Sequence, residues 1–122
     1  MRDFKNLLVW QRAHALSVSM HVTARRFPRS GFGNLRSQLE RATDSIATNI
    51  VEGCGAATQK EFARYLDISI KSANETEHHL LAARDRDALP AEGWQPLTAE
   101  LIEIRRMLYS LRKKVLLDAE GS

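Results

Sequence analysis

Apolar residues recur at alternating steps of three and four along four separate segments of the chain. The last segment shows the pattern most cleanly, with apolar side chains at Leu97, Leu101, Ile104, Leu108, Leu111 and Val115. The same spacing runs through residues 9–27, 35–53 and 62–83. A period near 3.5 residues is typical of helices packed at shallow angles. The pattern predicts helices at about residues 5–26, 34–53, 59–87 and 96–117.

Turn signals separate these segments. Pro28 ends the first helix, because the residue before a proline avoids the α region, and Asn34 can cap the second. The glycines at 53 and 55 end the second helix, and residues 58–61, TQKE, form a capping-box pattern that opens the third. The stretch from Pro90 to Pro96 separates the third helix from the fourth. We therefore expect an all-α fold, an antiparallel up-down-up-down four-helix bundle with residues 1–122 as a single domain.

Composition indicates the cellular compartment of this bundle. The 122 residues include one cysteine, Cys54, which rules out an internal disulfide and favours a reducing compartment. The apolar run near the start, residues 7–10, is too short for a signal peptide or a membrane span. These features predict a cytoplasmic protein with no membrane contact.

Charge is unevenly distributed along the chain. Residues 1–41 hold eight Lys/Arg against two Asp/Glu, residues 42–104 hold five against eleven, and residues 105–122 hold five against two. This asymmetry suits an acidic partner, RNA or DNA included, or self-assembly through complementary faces. Candidate phosphate contacts are Arg25, Arg26, Arg29, Arg36, Arg105, Arg106, Arg112, Lys113 and Lys114. The alternative is that these cations serve solubility and the C-terminal ends of the helices.

One end of the predicted bundle carries more apolar residues than a single core stripe needs. There the first helix starts, the second ends, the third starts and the fourth ends. A helix that is apolar on more than one side requires more than one neighbour. We therefore predict a contact between copies of the chain, made by Leu7, Leu8, Trp10, Val51, Tyr65, Leu116 and Leu117.

Polar residues line the apolar stripe of the second helix and face the third. This polar seam comprises Arg41, Ser45, Asn49, Glu52, Tyr65, Ser72 and Glu75. In an antiparallel pair, Arg41 lies near Glu75, Ser45 lies near Ser69 or Ser72, and Asn49 reaches Tyr65 or a backbone group. An unpaired buried asparagine would cost about 1–3 kcal/mol. We favour a structural role that fixes helix register over a ligand site.

Catalytic signals are weak. Glu75 and His78 form one E-x-x-H segment, whereas di-iron bundles use two such segments and two further glutamates. His14 and His21 are about 10 Å apart on a helix rise, too far to share a metal. His78 and His79 are expected to be exposed, and Cys54 lies at a helix C-terminus, where the dipole disfavours a thiolate. We predict no catalytic, cofactor-binding or metal-binding residues, and a metal-dependent enzyme is the remote alternative.

Several of these residues resemble one bacterial pattern over about residues 4–116. The matching segments are L-x-W-Q-x-A from Leu8, Phe27-Pro28, L-x-x-Q-x-x-R-A from Leu35, S-I-x-x-N-I-x-E-G from Ser45 and E-F-x-x-Y-L from Glu61. They are similar to the family of proteins encoded in 23S rRNA intervening sequences. More distantly, they resemble the accessory variability proteins of diversity-generating retroelements. The chain departs from this pattern at Gly31, Ala56, Lys71 and Thr76.

The resemblance implies a left-handed bundle that assembles as a ring of five copies, a pentamer, with a basic surface for nucleic acid in some relatives. Our hypothesis is therefore a non-enzymatic homo-oligomeric bundle that serves as an RNA or DNA adaptor. The alternative is a scaffold that binds another protein without nucleic-acid contact.

Overall fold

The structure, a computed structural model, describes residues 2–121. A short 3-10 helix, Phe4–Asn6, precedes four α-helices. These are α1 (Leu8–Arg25), α2 (Gly33–Cys54), α3 (Gln59–Asp85) and α4 (Ala91–Gly121). Residues 2–121 contain no strand, which confirms the all-α class.

The helices form a four-membered bundle in which each helix has two neighbours. α2 packs against α1 and α3, and α4 packs against α3 and α1. Side-chain contacts show how the α2–α3 pair is aligned, because Ser45 meets Ser72 while Gly53 lies beside Phe62. Residue numbers therefore rise along one helix as they fall along the other. The left-handed sense stays a prediction.

The core is built from the apolar stripes of all four helices. The large side chains that are fully buried include Met20, Leu39, Ile46, Ile50, Leu66, Leu80, Leu101, Ile104, Leu108 and Val115. Burying a side chain of this size contributes about 1.5–3 kcal/mol, so the stripes supply the main driving force for folding. Within residues 2–121, no helix combines the length and the apolarity that crossing a bilayer requires.

The helix ends show which local signals were read correctly. Thr58 Oγ1 accepts a hydrogen bond from the Glu61 backbone N–H at 3.1 Å and caps α3, as the capping-box pattern predicts. α2 instead begins one residue before the predicted cap, Asn34, with Phe32 in the cap position and no side-chain cap bond. The Asn34 side chain accepts a hydrogen bond from Gln38 Nε2 at 3.2 Å.

α4 starts at Ala91, five residues before the predicted start. The backbone carbonyl of Pro90 accepts hydrogen bonds from the N–H groups of Gly93 and Trp94, both at 3.0 Å, and so closes the first turn. Pro96 lies inside the helix and removes one backbone hydrogen bond there. The sequence suggested a loop because proline usually marks a helix boundary, whereas here it is tolerated near the N-terminus.

Candidate functional site

Hydrogen bonds among its own residues satisfy the middle of the polar seam between α2 and α3. Ser45 Oγ and Ser72 Oγ are 2.7 Å apart and share a hydrogen bond. Asn49 Nδ2 donates to the Ser45 backbone carbonyl at 2.8 Å and lies 3.0 Å from Ser45 Oγ. Ser69 Oγ, which is fully buried, donates to the Ile46 carbonyl at 2.8 Å. Asn49 therefore uses a backbone group of its own helix rather than Tyr65.

The end of this seam shows why the two helices can approach closely. A Cβ atom added to Gly53 would lie 2.7 Å from Phe62 Cδ1 and 3.2 Å from Tyr65 Cβ. Glycine is thus required by contact with α3. Tyr65 is half-buried here, and Glu52 is exposed. Glu52 lines an open groove of about 410 Å³ between α2 and the N-terminal segment that contains Arg2.

Arg41 and Glu75 differ from the expectation, because no ion pair joins them in the described part of the chain. Both instead line a shallow polar pocket of about 200 Å³, together with Ser45 and Ser72. Glu75 Oε2 lies 3.4 Å from His79 Nε2, one helical turn further along α3. This close approach does not form a hydrogen bond, and His79 Nε2 has no hydrogen-bond partner among residues 2–121.

The position of His79 differs from the sequence-based prediction. The sequence placed both histidines on the surface, and His78 is indeed exposed, but His79 is 8% exposed. Positions 72, 76 and 79 follow one another at helical spacing, and Ser72 and Thr76 are also buried. His79 therefore continues the buried side of α3 and is a packed residue.

A polar cluster between α1 and α2 was missed by the sequence analysis. His21 Nδ1 pairs with Glu40, and His21 Nε2 lies 3.0 Å from both oxygens of Asp44. Ser17 Oγ donates to Asp44 as well. The hydrogen bond with Asp44 and the charges of Asp44 and Glu40 raise the pKa of His21, against the opposing effect of burial. The sequence did contain a signal for this cluster, because residues 17 and 21 on α1, and residues 40 and 44 on α2, are polar pairs spaced one helical turn apart.

This cluster does not form a catalytic triad or a metal site. Ser17 bonds the carboxylate rather than the imidazole, so the histidine is not placed to take the hydroxyl proton. The two carboxylates lie at opposite ring nitrogens of His21. Over residues 2–121, no group of three or more His, Cys, Asp or Glu side chains has the geometry to hold a metal ion.

Cys54 is buried at the end of α2, and burial raises the pKa of its thiol. A thiol with a raised pKa is a poor nucleophile at neutral pH, because the thiolate is the reactive form. Its placement suits a small packed residue at the helix end.

The basic residues fall into two classes. Three of them bond to another helix, and Arg106 pairs with Glu103 on its own helix at 3.2 Å. Arg36 Nε donates to the Ala24 carbonyl at 2.9 Å and satisfies the end of α1. Arg105 pairs with Glu77 at 2.7 Å, and Arg112 pairs with Asp67. These three side chains connect helices and are less available to a ligand than the sequence suggested.

The remaining cations are exposed but form two separate groups. Arg25, Arg26 and Arg29 lie at the end of α1, whereas Arg106, Lys113 and Lys114 lie along α4. The end of α1 adjoins the start of α4, since Arg26 and Gly93 line the same recess. Arg106 and Lys113 are 15 and 22 residues beyond Ala91, so about 22 to 33 Å of helix separates the second group from the start of α4. One protomer therefore presents two small basic surfaces rather than a single one.

Several residues of the predicted oligomer contact pack within the bundle of a single chain instead. Leu7, Trp10 and Leu116 pack against the core, and Val51 and Tyr65 are half-buried. Trp10 also contacts Phe4 edge to face, with ring centroids 4.9 Å apart. Leu8 and Leu117 remain exposed, at 58% and 57%.

Exposed apolar side chains continue from this end along two helices. On α1 they are Leu8, Val18 and Val22. On α4 they are Ile102, Tyr109 and Leu117, with the exposed cations Arg106 and Lys113 between them on the same side of the helix. We call these sets the α1 stripe and the α4 stripe. Val18 and Val22 each follow a buried residue by two positions. Two positions correspond to a rotation of about 200° around the helix axis, so both valines lie on the side of α1 opposite the core. The sequence analysis missed the middle of both stripes because it considered one end of the bundle alone.

These observations define a class of protein: a four-helix bundle with satisfied polar seams, two exposed apolar stripes and two basic surfaces. The sequence model of the 23S rRNA-intervening sequence protein family matches residues 5–110. This chain belongs to that family.

A crystal structure supports the same assignment. It shows a protein of unknown function from the S23 ribosomal protein family of Bacteroides thetaiotaomicron VPI-5482. The two chains superpose with a TM-score of 0.82 and 25% sequence identity, over 87% of this chain and 99% of that one. No curated protein matches the chain.

Proposed function

We propose that this protein is a non-enzymatic bundle that assembles with copies of itself and, in that form, serves as an adaptor for RNA or DNA. The pair of exposed apolar stripes carries the proposal. The hydrogen bonds within the middle of the polar seam and the buried thiol of Cys54 support the non-enzymatic part. A free thiol also suits a reducing compartment, the cytoplasm.

The stripes support assembly because they lie on two different helices. Val18 on α1 is 55% exposed and Tyr109 on α4 is 52% exposed. Each pairing of an α1 stripe with an α4 stripe of the next copy would remove both from water. Such a head-to-tail contact closes a ring when the rotation between copies fits. The family resemblance suggests five copies.

Light scattering on the eluting protein tests assembly. Five chains of 13.8 kDa give a mass of about 69 kDa, five times the chain mass. We expect the V18E/V22E variant, and separately Tyr109→Glu, to elute as the 13.8 kDa chain, because a buried unpaired carboxylate opposes association. Ser37→Glu is the matched control, since Ser37 is exposed on α2 outside both stripes. A monomeric wild-type protein at 100 μM would refute the assembly.

The nucleic-acid part is supported by the three arginines at the end of α1. Within the described chain, none of Arg25, Arg26 and Arg29 forms an ion pair. Arg25 Nε donates to the His21 carbonyl at 3.3 Å, and its guanidinium has no acid partner among residues 2–121. The family name also connects its members with an intervening sequence of 23S rRNA.

Affinity measured against salt concentration tests this part. Phosphate contacts release counterions, so the logarithm of the affinity falls linearly with the logarithm of the salt concentration. We expect the triple variant R25Q/R26Q/R29Q to weaken binding and flatten that slope. The control, K60Q/R64Q/K71Q, removes the same charge from exposed positions of α3 and should change binding little. If neither RNA nor DNA binds at low salt, the protein-binding scaffold becomes the better hypothesis.

A further inference from the structure

A recess lies beside the α1 arginines, at the end of the bundle where α1 meets the turn between α3 and α4. It encloses about 290 Å³. Phe27, Leu89 and Pro90 contribute apolar surface, and Thr23 and Arg26 line it as well. Phe27 and Leu89 are almost fully buried, at 3% and 5% exposed. The recess is therefore a firmly packed hollow with a cation at its wall.

The charge around the recess favours an anionic ligand. Arg26 lines its α1 side, and Arg25 and Arg29 are close neighbours of Arg26 in the sequence. None of the three has an acid partner among residues 2–121. Acids lie on the turn after α3 and at the start of α4, and two of them are sequence neighbours of the residues that form the opposite wall. The acids are Asp85, which pairs with Arg84 at 3.0 Å, together with Asp87 and Glu92. A ligand that enters the recess would thus meet apolar walls inside and positive charge on the α1 side.

Two arginine–aromatic pairs lie at the same end of the bundle. The Arg84 guanidinium is 4.5 Å from the centroid of the Trp94 ring, and the Arg86 guanidinium is 5.3 Å from the Phe32 ring. The Arg84 side chain is 39% exposed. Flat guanidinium and aromatic faces are surfaces on which nucleobases stack. This end of the bundle therefore combines phosphate-binding charge with faces for unpaired bases.

We propose that the recess lined by Thr23, Arg26, Phe27, Leu89 and Pro90 accepts one unpaired base of a single-stranded nucleic acid, while the α1 arginines contact the adjacent phosphates. The inference rests on the proposed function and specifies its ligand. A paired base cannot enter the recess, because its edge is engaged and its faces are stacked within the duplex. The protein should therefore prefer single strands to duplexes of the same sequence.

Fluorescence anisotropy with three probes tests the base contact. The probes are a 12-nucleotide single strand, the same strand with abasic sites throughout its central six positions, and the corresponding duplex. Stacking one base is worth about 1–3 kcal/mol, so we expect the intact strand to bind about tenfold more tightly than the abasic strand. The duplex should bind no more tightly than the abasic strand.

Two variants separate the base from the phosphates. Thr23→Phe fills the recess and should lower affinity for the intact strand to the abasic level, without changing the salt dependence. Thr48→Phe makes the same exchange at an exposed position of α2 and should leave all three affinities unchanged. Arg26→Gln should weaken the intact and abasic strands alike. Circular dichroism of each variant establishes that the helices are intact.

The outcomes distinguish this inference from the function on which it rests. Equal affinity of the wild-type protein for the intact and abasic strands would overturn the base contact while leaving phosphate binding in place. A preference for the duplex would overturn it as well. If none of the probes binds at low salt, the proposed nucleic-acid function itself fails.

Discussion

Asp87 holds an unusual backbone conformation after α3. Among residues 2–121 it is the one non-glycine residue with a positive φ, 62°. The Ala88 N–H donates to the Ala83 carbonyl at 2.8 Å, and the Asp87 N–H donates to the Arg84 carbonyl at 3.1 Å. This is the Schellman pattern, in which glycine is the preferred residue at the left-handed position. The acidic side chain also lies near the negative end of the helix dipole.

Asp87→Gly is therefore expected to stabilise the protein by about 0.5–1 kcal/mol, because glycine adopts a positive φ without steric cost. Urea denaturation measures the change in the free energy of unfolding. Asp87→Asn serves as the control, since it removes the charge and keeps a side chain that tolerates this conformation. A glycine variant less stable than wild type would show that the Asp87 side chain has a role of its own.

Individual side-chain contacts were predictable where two residues lie at the same level of adjacent helices. The antiparallel alignment places Ser45 beside Ser72, and their hydroxyls are 2.7 Å apart. The same alignment places Arg41 near Glu75, and both line one pocket, yet no ion pair joins them within residues 2–121. The position of a residue along the helix axis follows from its residue number. The direction of a flexible, exposed side chain depends instead on its rotamer and on solvent. An ion pair at an exposed seam contributes little to stability, so nothing compels it to form.

The α1–α2 pair is joined by a contact that depends on pH. His21 lies between Glu40 and Asp44, and these acids raise its pKa. A raised pKa means that the protonated histidine is stabilised by folding. This contribution is fully present below the unfolded pKa of about 6.5 and is lost as the pH rises through the higher pKa of the folded state. Because His21 is 36% exposed, we expect at most about 1 kcal/mol.

His21→Gln should therefore destabilise the protein most at about pH 6, below the reference pKa of histidine, and the difference from wild type should shrink toward about pH 9. Chemical denaturation across this range measures the free energy of unfolding at each pH. His78→Gln, at an exposed position of α3, controls for the loss of an imidazole. A difference between His21→Gln and wild type that stays constant with pH would contradict a charged histidine in this seam.

Whole elements were predicted better than their boundaries. The apolar period identified four helices because the buried side of each helix must match the core, and this requirement acts over many residues. The start of α4 is set by two opposing contributions to stability. Pro96 lacks a backbone N–H and so costs the helix one hydrogen bond, and packing of the first turns against the core offsets this cost. Trp94 and Leu97 pack against the core. Tertiary packing of this kind is not visible in local turn signals.

At the scale of the whole molecule, the exposed stripes were the least predictable feature. Val18 and Val22 do not disturb the apolar period of α1, because they lie on its opposite side. A single exposed valine needs no explanation. Their alignment with Leu8 becomes apparent once the core positions are known, and it is this second, exposed apolar side of α1 on which the proposed assembly rests.

If copies of the chain cover the stripes, the apparent stability of the protein must depend on its concentration. Association stabilises the folded state by mass action, and a hundredfold excess over the dissociation constant is worth about 2.7 kcal/mol. Between 1 and 100 μM protein we expect the Tm to rise by about 5 °C or more, since 1 kcal/mol shifts the Tm of a domain this size by about 3–5 °C. Scanning calorimetry or fluorescence at both concentrations measures the shift.

The V18E/V22E variant should lose the concentration dependence, whereas Ser37→Glu should retain it. A wild-type Tm that is the same at both concentrations, with light scattering showing the 13.8 kDa chain, would mean that the stripes face solvent or a different protein.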